Sequence, residues 1–187
     1  MERRAVRILC RRYALTPTGF KYLEIGINVQ DPPSYVEIAV GDHRGNELIL
    51  SLETWKGLYE QRRNVQNLLR NDDKDTRNFI RIGPLTARVC TINDVKLIRL
   101  DSLNVRLMMT ESTLHSMFNL DRCIDVTFER LVRILETVDA KFTQFSNIAC
   151  FVKDPMELVD YIESTDAFDK HQLVDCELAA LVPFNSM

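Results

Sequence analysis

The sequence predicts an α+β fold: two tandem units of antiparallel β-strands, each followed by a helix, then a helical C-terminal extension. Three observations predict it. Segments rich in β-branched and aromatic residues fall into two groups, around residues 13–50 and 79–109. Each group ends in a short polar cap, after which apolar residues recur at helical rather than alternating spacing. The order of elements is the same in both groups.

In the first group, residues 13–16 read as a short strand stopped at Pro17, and residues 20–29 (FKYLEIGINV) as a longer one. Asp31-Pro32-Pro33-Ser34 breaks the chain, and residues 35–40 (YVEIAV) alternate as the next strand. Residues 41–46 make a hairpin loop and residues 47–50 (ELIL) a further strand. Ser51 then serves as N-cap with Glu53 in the first turn. Trp55, Leu58, Tyr59, Val65 and Leu68 follow at helical spacing, and residues 71–75 (NDDKD) close the helix as a polar linker.

In the second group, residues 79–92 (FIRIGPLTARVCTI) read as one long strand with a bulge or bend at Gly83-Pro84, because proline cannot donate to a ladder. Asn93-Asp94 turns, residues 95–100 (VKLIRL) form a strand, and residues 104–109 (NVRLMM) form another. Thr110 begins a helix cap, followed by Leu114, Met117, Phe118 and Leu120 on one face. Residues 126–140 carry the clearest amphipathic stripe: Phe128, Leu131, Val132, Leu135 and Val138. Residues 147–152 are expected as a strand. A helix with Asp154 as N-cap and Pro155 in its first turn runs to Ile162. A loosely ordered tail is expected beyond Ser164. The domain division is 1–71, 77–142 and 143–187.

Two anchors support an internal repeat. Tyr22-Leu23-Glu24-Ile25-Gly26 aligns with Phe79-Ile80-Arg81-Ile82-Gly83, and Leu48-Ile49-Leu50-Ser51 through Trp55 aligns with Leu107-Met108-Met109-Thr110 through Leu114.

Composition narrows the function classes. With 187 residues, 45% of them hydrophobic, the chain can bury one sizeable core or two small ones. No apolar run reaches the roughly 18 residues of a spanning helix, and the N-terminus does not read as a secretory signal. The five cysteines are scattered without a CxxC pair, which suggests free thiols in a reducing, intracellular setting, nucleus or cytoplasm. The histidines His43, His115 and His171 are equally scattered, so no metal site is expected and no cofactor is implied. There is no Gly-rich phosphate loop, GxSxG or HExxH, and an enzyme is not expected. Asp72, Asp73 and Asp75 read as linker rather than as cation ligands.

The net charge of −3 conceals a segregation. Residues 1–30 and 77–106 are net basic, whereas residues from Asp154 onward hold Asp154, Glu157, Asp160, Glu163, Asp166, Asp169, Asp175 and Glu177 against Lys170. Basic strands attract a phosphate backbone and interleaved aromatics stack on bases. The acidic tail keeps the protein in solution, or else covers the basic face or recruits a basic partner.

The second group, FIRIGPLTARVCTI, VKLIRL and NVRLMMTESTLHSMF, resembles the single-stranded-DNA-binding C-terminal domain of the transcriptional coactivator positive cofactor four. In the first group the closest match is ELILSLETWKGLYEQRRNV, with Trp55 four residues after Ser51. The likeness covers residues 13–140; Pur-repeat and Whirly proteins have related units. The resemblance implies curved sheets, helices at a dimer interface, and two units pairing as a pseudo-dimer within one chain or as a homodimer. It also implies binding of single-stranded DNA, or RNA, by basic and aromatic strand residues. These carry over to Lys21, Tyr22, Arg81, Arg88, Lys96 and Arg99, with Arg3, Arg4, Arg7, Arg11 and Arg12 as a flexible arm. Asp101 departs from the family, standing near where it has an arginine, and the aromatic that ends the family's second strand is missing. The alternative expectation is a protein-interaction or assembly module on the same fold, with nucleic-acid binding lost.

Overall fold

The computed structural model describes residues 6–71 and 78–185, with side chains to residue 182. The described residues form two open four-stranded antiparallel sheets and seven helices, the α+β architecture that the patterning predicts. The first sheet has the order β1 (Arg7–Ala14), β2 (Lys21–Asn28), β3 (Tyr35–Asp42) and β4 (Glu47–Leu50). Helices α1 (Leu52–Glu60) and α2 (Arg62–Arg70) follow. The second sheet has the order β5 (Phe79–Ile82), β6 (Leu85–Ile92), β7 (Val95–Asp101) and β8 (Arg106–Met109). Then come α3 (Glu111–Phe118), α4 (Asp121–Val132), α5 (Leu135–Ala149), α6 (Leu158–Glu163) and α7 (Leu173–Asn185).

The two strand-to-helix junctions form as their sequences dictate. Ser51 Oγ accepts from the Thr54 backbone N–H, and Thr110 Oγ1 accepts from that of Thr113. Each satisfies a donor that the helix start leaves orphaned. One residue further on, Trp55 and Leu114 are fully buried.

Several expectations are corrected. The second sheet has four strands, not three, because residues 79–92 divide into β5 and β6. The first strand spans Arg7–Ala14, so Arg7, Arg11 and Arg12 belong to a β-strand and not to a flexible arm. Gly83-Pro84 is a two-residue hairpin turn, because Ile82 pairs with Leu85 and Gly83 adopts φ +54°. Positive φ at the first central position of such a turn suits glycine. As a result Phe79–Gly83 opens the second sheet on its first strand, whereas Tyr22–Gly26 lies on the second strand of the first sheet. These anchors are alike in sequence and differ in place. Asn93 and Asp94 both have positive φ, the signature of a tight hairpin. The first helix breaks at Gln61, and the amphipathic stretch divides into α4 and α5 around Ile134. The strand expected at 147–152 is instead the end of α5 and a turn. Glu157, not Asp154, is the N-cap of α6, and the expected loose tail contains α7. Most of the linker lies outside the described residues.

The described chain parts into two compact units that are discontinuous in sequence, whereas the expected segments followed the repeat. One unit combines the residues up to Arg11, Gly26–Val36 and those from Phe128 on. Its core includes Val138 and Phe145 of α5, Leu158 and Ile162 of α6, and Leu178, Ala179 and Val182 of α7. Asp139 on α5 accepts from both the backbone N–H and the hydroxyl of Ser34.

The other unit combines Arg12–Ile25 and Glu37–Thr127. Here α1 lies against β5, α2 against β5, β6 and β7, and α3 against β7 and β8. The helices cover one face of the second sheet, which carries Ile82, Leu85, Ala87, Ile98, Leu100, Leu107 and Met109, all buried. Trp55 completes this core, its Nε1–H donating to Asp121 at 2.9 Å. Lys56 reaches both Asp121 and Asp125. Burial alone would lower the Lys56 pKa, but its hydrogen bonds to Asp125 and Asp121 and their charges raise it overall.

Candidate nucleic-acid interface

Side chains alternate across a strand, so the register fixes what the uncovered face of the second sheet presents. Phe79 pairs with Arg88, Arg88 with Arg99, and Arg99 with Met108. This is one continuous row across all four strands. The adjacent row is Arg81, Thr86, Asp101 and Arg106. On the other side lie Cys90 opposite Leu97 and, at the hairpin end, Ile92 opposite Val95. None of these residues belongs to the buried core.

Apolar side chains are open to solvent here. Phe79 is 50% exposed, Met108 38%, Ile92 41% and Val95 54%. The Arg81 and Arg88 guanidinium groups each lie 5.8 Å from the centroid of the Phe79 ring. Four arginines and one aspartate share the face, so its formal balance is positive although the chain's is negative.

The aspartate is centrally engaged. Arg99 Nε lies 2.9 Å from Asp101 Oδ1 and donates to Oδ2 at 3.0 Å. Arg88 Nε is 3.3 Å from Asp101 Oδ2. Arg88 Nε is buried but makes no well-directed hydrogen bond, and the same holds for Asp101 Oδ1, so the Arg88–Asp101 contact is ionic more than directional, whereas Arg99 hydrogen-bonds Oδ2. Arg81 and Arg106 stand exposed on the outer strands. On the other side of the central row Cys90 is half-buried; desolvation raises its thiol pKa, while Arg99 opposes this and Asp101 adds to it. Such a thiol stays protonated at neutral pH and is a poor nucleophile.

The structure therefore divides the residues expected at the site. Arg81, Arg88 and Arg99 share one face. Lys96 does not: it pairs with Thr91 on the opposite side of the sheet, and its Nζ donates to the Asn71 carbonyl at the end of α2. Lys21 and Tyr22 lie on the first sheet. Tyr22 is only 4% exposed, donates its hydroxyl to Glu47 at 2.9 Å, and carries the Arg12 guanidinium 3.8 Å over its ring. It is a packing residue with no free ring face for a base. Arg12 also donates to Glu24 at 2.7 Å. This face of the first sheet buries Glu24 and Glu37 as well. Arg3 and Arg4 lie outside the described residues.

Sequence reading missed Phe79, Met108 and Arg106 as site residues. The signal was strand parity combined with the two hairpin turns, which carries Arg81 and Arg106 onto the same face as Arg88 and Arg99. Among the described residues no cluster of three metal-ligating side chains forms, and no helix is long and apolar enough to cross a membrane.

No family model, curated protein or solved structure matches this chain.

Proposed function

We propose that the chain binds single-stranded nucleic acid, DNA in preference to RNA, on the uncovered face of β5–β8, without strong sequence preference. One observation carries this reading: the Phe79–Arg88–Arg99–Met108 row, a strip of aromatic, guanidinium and thioether groups with the exposed Arg81 and Arg106 at the two ends of the adjacent row. Bases stack on aromatic and guanidinium planes at about 1–3 kcal/mol each, and arginines at the rim meet phosphates. The resemblance of this segment to the positive cofactor four domain supports the same reading. So does charge complementarity, since the arginines outnumber the aspartate on this face. The activity is binding rather than catalysis, in the nucleus or cytoplasm, and serves transcription, replication or genome handling.

Fluorescence anisotropy with a labelled oligo-dT of about 20 nucleotides tests it, since a site of this kind spans about 4–16 nucleotides. Micromolar or tighter binding at low salt, weakened by Phe79→Ala, is expected. Failure to bind at low salt removes the reading. A second reading, a protein-docking face, is favoured by the exposed Ile92–Val95 pair at the hairpin end and by Asp101 occupying two of the arginines. Val95→Lys distinguishes them: it disrupts an apolar protein contact and leaves oligonucleotide binding equal or stronger.

A further inference from the structure

The four arginines of the uncovered face are not equivalent. Arg88 and Arg99 are central, directly opposite each other, and both lie within ion-pair distance of Asp101. Arg81 and Arg106 belong to the two outermost strands. Neighbouring strands are about 4.8 Å apart, so β5 and β8 are separated by roughly 14 Å of sheet. A single strand crossing that width meets the exposed arginines at the edges and the tethered pair in the middle.

We propose that Asp101 is a positioning residue that divides this face into two functions. It holds Arg88, beside Phe79, and Arg99, opposite Arg88, as part of a base-contacting floor and withholds their charge from phosphate. The phosphates are left to Arg81 and Arg106. The inference rests on the proposed nucleic-acid reading and sharpens it: the ligand is gripped mainly through its bases, and affinity depends only weakly on salt. The physical basis is competition for one guanidinium. A phosphate can recruit Arg88 or Arg99 only by displacing a carboxylate that is already in contact and largely shielded from water. Releasing Asp101 would leave that carboxylate desolvated and without its cations, which opposes the exchange.

The salt dependence of binding reads this directly. For single strands the slope of log K against log[salt] is about −0.7 per phosphate neutralised, so two phosphate-bound arginines give about −1.4 and four give about −2.8. Anisotropy titrations of the full chain with oligo-dT should therefore give about −1.4 for wild type. Asp101→Asn keeps the side-chain shape and frees both arginines, so it should steepen the slope toward −2.8, a doubling, with tighter binding at low salt. Arg81→Gln with Arg106→Gln changes only exposed side chains and so tests the division even where Asp101→Asn fails to fold. It should bring the slope close to zero while leaving measurable binding. A wild-type slope already near −2.8 that Asp101→Asn leaves unchanged overturns the division but keeps the nucleic-acid reading. So does a slope that persists in the Arg81/Arg106 double variant. Absence of binding by wild type and by Asp101→Asn at low salt overturns both. A merely structural Asp101 would change affinity and stability together without changing the slope.

Discussion

Arg88 on β6 and Arg99 on β7 are direct cross-strand partners, two like charges opposite one another on a sheet face, and the carboxylate of Asp101 lies within reach of both. Like charges in that relation repel, so Asp101 is what makes the pairing tolerable. Asp101→Ala should lower stability by about 1 kcal/mol, the upper end for partly exposed ion pairs. Arg99→Gln should destabilise the wild-type chain but be neutral or stabilising in the Asp101→Ala background. A double-mutant cycle from urea denaturation reads the coupling directly. Additive effects would mean that the three groups do not share one interaction.

Tyr22 should matter to stability and not to ligand. Its ring packs where Gly41 has no side chain, and a Cβ at Gly41 would collide with it. Gly41→Ala is expected to cost about 1–3 kcal/mol by overpacking. Tyr22→Phe removes only the hydrogen bond to Glu47 and should cost about 1 kcal/mol. Neither is expected to shift oligonucleotide affinity, whereas Phe79→Ala should. Loss of binding in Tyr22→Phe, with the thermal midpoint unchanged, would return the first sheet to the site.

What the sequence made legible is what local chemistry decides. Ser51 and Thr110 are caps because a hydroxyl ahead of a helix satisfies a donor three residues on, and that needs no tertiary information. The Asn93-Asp94 turn is local in the same sense. Lys96 was misplaced although the information was present: it is an odd number of residues from Arg99 on one strand, so the two side chains point to opposite faces. Arg81 and Arg106 could be placed only once the Gly83-Pro84 hairpin and the β7–β8 pairing were known, because each turn resets the parity between strands. The N-terminal arginines resembled an arm because an edge strand tolerates charge on its open side. The last helix was missed because LVDCELAALVPFN shows little periodic contrast, and its burial depends on α5, which is distant in sequence.

Acid should weaken the β3–β4 hairpin through Asp42. Burial works to raise this carboxyl's pKa, but hydrogen bonds from the Asn46 side chain and backbone and from the Arg44 backbone, with the Lys21 charge, bring it below its ordinary 3.8. A carboxyl whose folded pKa is depressed contributes stability that is present above 3.8 and is lost as pH falls through the lower folded value. Thermal melts between about pH 2 and 7 should show Asp42→Asn less stable than wild type near neutrality, with the gap closing in acid. A gap independent of pH would assign the cost to shape rather than to charge.

Removing the acidic C-terminal segment should unfold its neighbours rather than unmask a binding face. Lys141 on α5 donates to Asp175 at 3.0 Å and to the Ala167 carbonyl, and Asp175 also accepts from the Asp169 backbone N–H. Asp175 is among the most buried polar residues described, and it sits one turn ahead of the buried Leu178 and Ala179 and two ahead of Val182. Removing Asp175 leaves the partly exposed Lys141 without its carboxylate and the Asp169 backbone N–H without its acceptor. Asp175→Ala should therefore lower stability by about 1–3 kcal/mol. Truncation after Val152 should cost more, because it also strips apolar cover from Val138 and Phe145. Limited proteolysis of Asp175→Ala should cut first around residues 164–172, since α7 is then no longer held to α5. If the truncated chain instead melts like the full one and binds oligo-dT more tightly, the acidic segment is a cover for the basic face and not part of the core.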